Sequence, residues 1–411
     1  KNSLALSAIM ATNRRGRSAA LTNEVFELMG NRYNPHWGEQ NGKNRNARER
    51  SISEPILVLS YFLQSDKLKW TTGIGYQFGE LAKDRLAYFN APNPNPTYYK
   101  YVPSYHVNSS IGADFVNADL AREALLDHPQ LDWGNIYSIN ENMPNRAAAY
   151  VLSEDVQDEK RLMLASNLEL DFGKNVKFGF GANMETSDIQ SYGRIKDLLG
   201  AGHLDDSDTF SATRNDVLGN KAKILGDKMG YHFALNPKKL NGFAQMEYKG
   251  KGYSGFVSAS LFGLKVQRHG LFQNERYPEN SLGKSEQLNL SGTGLKTGMT
   301  YFLSGRHWVS VNAAKMDRAP VLQNLFVNPR ENNFLVPDLQ KENIATIDLG
   351  YFVRLPDLKG RVSAFYSRFQ HTTDVNFFFT DSGLGSDFVQ EVITGLDRLH
   401  KGLELGLELV R

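Results

Sequence analysis

The stretch Lys401-Gly402-Leu403-Glu404-Leu405-Gly406-Leu407-Glu408-Leu409-Val410 alternates leucine with glutamate and glycine. Successive side chains of a β-strand point to opposite faces. One face of this strand is therefore all leucine, and the other carries carboxylates and bare backbone. A soluble sheet buries such leucines under a second layer. A membrane barrel turns them to lipid and keeps the carboxylates in a wet interior. The rest of the chain decides between these two.

The 411 residues exceed one ordinary globular core and suit a large barrel. No window approaches the roughly 18 uninterrupted apolar residues of a transmembrane helix. A barrel needs only every second residue to be apolar, so it stays open. The 24 Phe, 18 Tyr and 36 Gly fit a β protein with aromatics at its strand ends. The charges nearly cancel, with 47 Lys+Arg against 45 Asp+Glu and no long basic run, so nothing points to nucleic acid. Absence of cysteine excludes disulfides and thiolate metal sites. No signal peptide is recognisable. The chain opens and closes inside strand patterns, which reads as a piece of something larger.

About twelve strands are expected, near residues 2–13, 54–64, 69–80, 159–171, 175–188, 241–250, 252–267, 288–303, 307–317, 340–353, 360–373 and 391–410. Clear alternation appears in Val176, Phe178, Phe180, Ala182 and Met184 against Lys177, Gly179, Gly181, Asn183 and Glu185. Their connections alternate short and long. Ser65-Asp66-Lys67-Leu68, Gly173-Lys174-Asn175, Lys249-Gly250-Lys251-Gly252, Ser304-Gly305-Arg306 and Pro356-Asp357-Leu358-Lys359 read as tight turns. Between them lie long connections near 14–53, 81–158, 189–240, 268–287, 318–339 and 374–390. In an antiparallel meander this puts every short turn at one end and every long loop at the other. That asymmetry, with strands long enough to span, predicts an all-β fold: an antiparallel transmembrane β-barrel with long extracellular loops. Short helices are expected in the loops over residues 23–29 and 119–126. Tyr231-His232-Phe233-Ala234-Leu235 is assigned to a loop, which keeps the short turns on one side.

With the strands placed, the motifs resemble the barrel of TonB-dependent outer-membrane receptors. Arg318-Ala319-Pro320 followed by Gln323-Asn324-Leu325-Phe326 resembles the family's Arg-x-Pro…Leu-Phe segment. Leu339-Gln340-Lys341-Glu342 with Ile347-Asp348-Leu349-Gly350-Tyr351 is similar to its following down-strand. Arg361 to Phe369 is similar to the next up-strand, and Lys401-Gly402-Leu403-Glu404 to its recurrent K-G-x-E. Tyr33-Asn34-Pro35-His36-Trp37-Gly38, Asn44-Arg45-Asn46-Ala47-Arg48 and Pro94-Asn95-Pro96-Thr97-Tyr98-Tyr99 resemble loops of Bacteroidota-type members, the carboxypeptidase-regulatory-like and starch-utilisation-like group. The resemblance implies that residues 1–411 are part of a barrel of the 22-stranded kind. It also implies an N-terminal plug and a TonB box, neither of which this sequence displays, and a bacterial outer-membrane location. The implied partners are the TonB energy-transducing complex, reached through the N-terminal part, the outer-membrane lipids, and in some members a surface lipoprotein lid.

No catalytic motif is found: no G-x-S-x-G, no H-E-x-x-H and no phosphate loop. No enzyme activity and no cofactor are expected. The nine His lack ligand spacing, and no metal site is assigned. Asp205, Asp206 and Asp208 form an acidic cluster without the glycine and closing Glu of a calcium loop, and read as exposed loop. Tyr98, Tyr99, Tyr101, Trp133 and Tyr137, with Tyr105, are candidate ligand-binding residues of the extracellular loops, against the plainer reading of loop packing. Glu169, Asp171, Asn183, Glu185, Gln245, Glu247, Asp348, Glu404 and Glu408 are candidate lumen-facing residues, or simply solvated wall. Trp70, Tyr61, Phe62, Trp308 and Tyr366 are candidate interfacial girdle residues.

The functional expectation is a TonB-dependent importer of a scarce ligand, working by loop capture and plug displacement. The alternative is a non-transport barrel: an adhesin, a pore or a secretion-associated component. A lipid-facing Leu405 makes a prediction. Leu405→Arg is expected to lose roughly 2–4 kcal/mol near the bilayer midplane. Denaturant unfolding of the vesicle-embedded protein measures this, and an unchanged midpoint counts against lipid exposure there.

Overall fold

The computed structural model describes residues 1–209, 211–381 and 386–409. The chain rises and falls as a meander. β1 (Asn2–Ile9) and β2 (Thr12–Gly16) make the first stave. The connection above them holds α1 (Asn23–Met29) and a hairpin of β3 (Trp37–Gln40) and β4 (Lys43–Asn46). β5 (Glu49–Ser53) and β6 (Ile56–Gln64) descend, and β7 (Leu68–Tyr88) returns. A long connection carries α2 (Pro103–Val107), α3 (Phe115–Asp127) and α4 (Trp133–Asn142). β8 (Tyr150–Phe172) and β9 (Val176–Asp197) follow, then a loop with β10 (Leu204–Asp205) and β11 (Ala222–Lys223). β12 (Lys228–Leu235) continues into β13 (Lys238–Lys249), β14 (Tyr253–Val266) into β15 (Arg268–Gly270), and β16 (Gly283–Lys284) into β17 (Leu288–Phe302). β18 (His307–Arg318), β19 (Glu342–Arg354), β20 (Leu358–Asp381) and β21 (Ser386–Leu409) complete the order.

One antiparallel sheet takes 17 of these strands. They form twelve staves, because five staves are interrupted once, and each stave pairs with its neighbours in sequence. Among the described residues no pairing joins β1 to β21, so the sheet is an open, continuous wall. Two interruptions have a plain cause. Pro55 separates β5 from β6 and Pro237 separates β12 from β13, and proline cannot donate to a ladder. Their carbonyls still accept, from Phe78 at 3.1 Å and Ser187 at 3.0 Å.

Register sorts the side chains. Direct cross-strand partners share a face, and following them from β1 to β21 puts Leu59, Ile74, Leu164, Phe180, Leu261, Leu295, Leu349 and Leu405 on one side, all exposed. No second layer covers them, so the leucine face of the closing strand belongs to a wall-wide apolar band. The fold is that of an outer-membrane β-barrel wall. On the opposite face, large rings lie across glycines of the next strand. A β-carbon at Gly181 would collide with the Phe243 ring, and one at Gly402 with the Phe365 ring.

Several expectations are corrected here. The strands run further than alternation shows. β7 reaches Tyr88, β8 starts at Tyr150 and β9 reaches Asp197. Beyond the apolar band both faces are polar or packed, as in Glu154-Asp155 and Asp158-Glu159, so period-2 patterning stops while the ladder continues. Tyr231–Leu235 is strand, not loop. β12 pairs with β9 in line with β13, so the up-down count is unchanged. The connection expected at 374–390 is mostly ladder of β20 and β21, with 382–385 outside the described residues, as is Val410 of the last expected strand. α1 matches its expected span, whereas α2 and α4 were not foreseen. Of the girdle candidates, Tyr61 and Trp70 meet edge to face at 5.7 Å on the apolar side, and Tyr366 shares that side. Phe62 and Trp308 point to the other, with Trp308 stacked on Phe352 at 5.4 Å.

Gly181→Ala is expected to destabilise the wall by about 1–3 kcal/mol through overpacking against Phe243. In a Phe243→Ala background most of that cost should vanish. Equilibrium unfolding of the four proteins closes the cycle, and additivity of the two substitutions contradicts the packing account.

Candidate functional site: the polar face and the long-loop cap

All nine residues expected in the lumen fall on the face opposite the apolar band. Most of them are tied to neighbours. Lys177 lies 3.5 Å from Glu169 and 3.9 Å from Asp171. Asn241 donates to Asn183 at 2.8 Å, and Lys239 pairs with Glu185 at 3.0 Å. Gln245 donates to Glu247 at 2.6 Å and Asn312 to Asp348 at 2.8 Å. Arg361 pairs with Glu404 at 2.9 Å and Lys359 with Glu408 at 3.1 Å. Opposite charges facing each other across a ladder support the register.

A cavity of about 1040 Å³ lies on this face, lined by amides and rings such as Asn167, Asn183, Asn241, Phe243 and Phe262. One wall of it is the segment 318–323, where the chain leaves β18 and folds back over the sheet. Arg318 starts that segment and is held by Glu342 at 2.6 Å. Leu325 and Phe326 end it, fully buried, in a cluster with Ile189, Phe233, Leu264 and Val266. The Arg-x-Pro…Leu-Phe motif is thus an anchor that pins a long connection to the inner wall. Arg268 fastens the same region. It is buried, donates to the carbonyls of Pro329 at 2.8 Å and Ser281 at 2.9 Å and to the side chain of Asn333, and sits 5.3 Å from the Phe233 ring. Burial lowers its guanidinium pKa to about 10.

The first two long connections fold together into a cap. Leu131, Trp133, Ile136, Ala149, Tyr150 and Leu199 form its core. Asp132 caps α4 by accepting from the Asn135 N–H at 2.8 Å. Buried Asn140, on α4, donates to the carbonyls of Tyr150, Leu198 and Leu199 and accepts from the N–H groups of Ala149 and Tyr150 at 2.9 Å. One amide therefore joins the helix to the tops of β8 and β9. Glu24 of α1 accepts from the N–H and hydroxyl of Ser104, both at 2.7 Å, at the start of α2.

The five loop candidates divide. Tyr98, Tyr99 and Tyr101 lie together, with ring centroids 4.7 Å and 5.3 Å from Tyr98, and Tyr105 adds a fourth ring 5.7 Å from Tyr99. Tyr99, Tyr101 and Tyr105 keep exposed surface. Trp133 is 0% exposed and offers a ligand nothing. Arg45 lies 4.4 Å over its ring and reaches Asp197 at 2.6 Å and the Tyr137 hydroxyl at 3.1 Å. Trp133 and Tyr137 are therefore parts of the cap's framework. A core tryptophan and a binding tryptophan look alike in an unaligned sequence; the only hint was Asp132 in front of it, a cap residue. Of the acidic cluster, Asp206 is not exposed: it is buried and receives the Asn215 amide at 2.8 Å and the Gly230 N–H at 3.0 Å. Asp205 pairs with Lys221 at 3.6 Å and His203 at 3.4 Å. Among the described residues no group of three or more His, Asp and Glu is arranged to hold a metal.

Solved structures share this fold. The ferric-catecholate import receptor Fiu of E. coli K12, in its closed form, matches at 10% identity with a TM-score of 0.56, over 99% of this chain and 53% of that one. The ferric yersiniabactin uptake receptor FyuA of Yersinia pestis matches at 10% and 0.53, over 100% and 50%. The copper transporter OprC matches at 12% and 0.52, over 89% and 47%. These are TonB-dependent outer-membrane receptors, and this chain spans about half their length. No family model and no curated protein matches the sequence.

Two half-buried histidines give the cap and its rim a pH dependence. Burial, then Arg48 and Arg17, pushes His36 down to about 4. Burial, then Lys228, pushes His232 on β12 down to about 4. Both groups hold fewer protons folded than unfolded, where the value is near 6.5, so stability rises with pH across that window and falls as pH drops from about 6.5 towards 4. Amide exchange around residues 33–40 and 228–235 is expected to speed up as pH falls through it, after correction for intrinsic rates. Unchanged protection refutes this.

Proposed function

We propose that this chain is part of the barrel domain of a TonB-dependent outer-membrane receptor that imports a scarce ligand. The observation that carries the reading is a membrane wall with its connections segregated, short at one end and folded into a cap at the other, in a fold shared with import receptors. On this reading the cap captures the ligand, and the plug, supplied by sequence outside this chain, is displaced by energy from the TonB complex. No covalent step is involved. The exposed tyrosine cluster of residues 98–105 is the proposed first contact, because rigid aromatic rings bury area at small entropic cost. Exposed Phe115, Val116 and Leu120 on α3 are the proposed seat of a surface lipoprotein lid.

Cells with and without the gene, grown in complex medium, test the reading by their depletion of small molecules. At least one compound should be depleted about tenfold more slowly by the deletion strain, and a protonophore should abolish the difference. Tyr99→Ala with Tyr101→Ala should raise the half-saturating concentration about tenfold while the barrel still forms. Depletion that persists under the protonophore favours a passive pore, and no difference between strains removes the import role.

A further inference from the structure

Level with the apolar band, inward cations hold carboxylates: Lys177, Lys239 and Arg361 are all paired. Above the band, on β2, β5 and β7, that balance stops. Arg15 on β2 stands directly opposite Arg50 on β5, and Arg50 directly opposite Lys83 on β7. Lys83 lies 15 residues beyond Leu68, where β7 begins, against about ten for a membrane span. Register puts all three on the inner face. Lys83 faces Asp155 of β8, which accepts from the inward Tyr231 hydroxyl at 2.9 Å. Arg85 follows Lys83 on the same face. Arg17 and Arg48 join the group beyond the strand ends. The Arg17 N–H donates to the Arg48 carbonyl at 2.7 Å, and burial, then Arg85 and Arg17, holds the Arg48 guanidinium below its usual pKa.

The outer face of the same strands is built the other way. There Arg14 meets Glu49, Lys196 meets Asp84 at 2.7 Å and Arg194 meets Glu154 at 2.8 Å. Sequence neighbours thus part: Arg14, Glu49 and Asp84 are paired outside, whereas Arg15, Arg50, Lys83 and Arg85 point inside. Among the described residues none of Arg15, Arg17, Arg48, Arg50, Lys83 and Arg85 has an ion-pair partner. The buried Nε atoms of Arg50 and Arg85 have no hydrogen-bond partner either. Asp155 is already engaged by Tyr231 and by Arg330 at 3.6 Å. Direct cross-strand partners have β-carbons about 5 Å apart, and like charges so placed repel. An anion seated among them reverses the sign, and guanidinium forks match the paired oxygens of carboxylates and phosphates. Arg15 and Lys83 are exposed and Arg50 and Arg85 half-buried, so a solute can reach them. We propose that Arg15, Arg50, Lys83 and Arg85, joined by Arg17 and Arg48, form a site on the inner wall for a multiply charged anion, a polycarboxylate or a polyphosphate. The site deepens the import reading by giving the charge of the ligand, and rests on that reading for its role.

Calorimetric titration of the full-length protein in non-ionic detergent at low salt tests the site, with citrate, pyrophosphate and the neutral triethyl citrate as probes. Citrate or pyrophosphate should bind at micromolar concentration and weaken as salt rises, and triethyl citrate should not bind. Which of the two binds tells carboxylate from phosphate recognition. R50Q/K83Q should weaken binding at least about tenfold. Lys177→Gln, inward but already paired, should leave it unchanged, and Lys83→Arg should retain it. Binding of neither anion by the wild type, or undiminished binding by R50Q/K83Q, overturns the site. Should neither anion bind while R50Q/K83Q lowers the melting temperature, the cations serve a carboxylate elsewhere in the full chain, and a site for a free anion is overturned. If R50Q/K83Q does not fold, the single variant K83Q decides, again expected to weaken binding. Protonophore-sensitive depletion reports import separately: its absence with anion binding intact overturns import alone, and its presence without anion binding overturns only the site.

Discussion

A backbone that crosses hydrocarbon has no water to bond, and the rest of this structure follows from that constraint. Every stave must satisfy its N–H and C=O groups on its neighbours, so the ladder runs unbroken through the band from β1 to β21. Prolines are admitted at the edge of the band, where Pro55 and Pro237 interrupt a stave without opening the wall. With the backbone committed to the ladder, only the side-chain alternation is left to distinguish lipid from water. Hence the leucines of one face, the paired polar groups of the other, and the glycines that let Phe243 and Phe365 lie flat across the polar side.

Above the band the constraint lifts, and a different logic takes over. Strands there bury side chains on both faces. Tyr192 and Val156 become buried on the side that faces lipid lower down. The loops need cores of their own, because a long connection that buries nothing cannot offset the entropy of ordering it. Among the described residues such cores form around Trp133, around Leu325 and Phe326, and around Val25, Val102 and Leu125. Charge ties the staves themselves together at this level. Arg194 meets Glu154 at 2.8 Å and Glu80 at 3.0 Å, and Lys196 meets Asp84 at 2.7 Å, tying β7, β8 and β9 together above the membrane.

This division explains what the sequence made legible. Inside the band each residue faces one of two solvents, so alternation reads out both strand and face. Leu403 to Leu409 and Val176 to Met184 could be placed without a structure. The tight turns were equally plain, since Gly173-Lys174-Asn175 does one local job. Above the band the two-solvent rule fails, and with it the pattern. Glu154-Asp155 reads as loop and is ladder; Tyr231–Leu235 reads as loop and is strand; Trp133 reads as an exposed lip residue and is the centre of a core. None of these is decided by neighbours in sequence. Trp133 is buried by Arg45 and Leu199, which lie far away along the chain.

The two faces of the wall also treat charge differently, and this bears on where selectivity can reside. Level with the band, carboxylates and cations of the polar face largely neutralise one another across strands, as in Glu185 with Lys239 and Glu404 with Arg361. A wall so balanced presents little net field to a passing solute beyond the reach of each pair, because screening in wet surroundings is strong. It holds register and stays wet, but it does not sort ligands by charge. On the proposed import reading, sorting falls to surfaces that are irregular and not self-compensated: the tyrosine cluster of the cap and the segment from Arg318 to Phe326 folded against the inner wall. Both belong to the long-loop half of the molecule, where packing and not periodicity sets the shape. A repetitive wall and an irregular cap thus divide the labour: the wall supplies a membrane-stable frame, and on the proposed reading the cap supplies the discrimination.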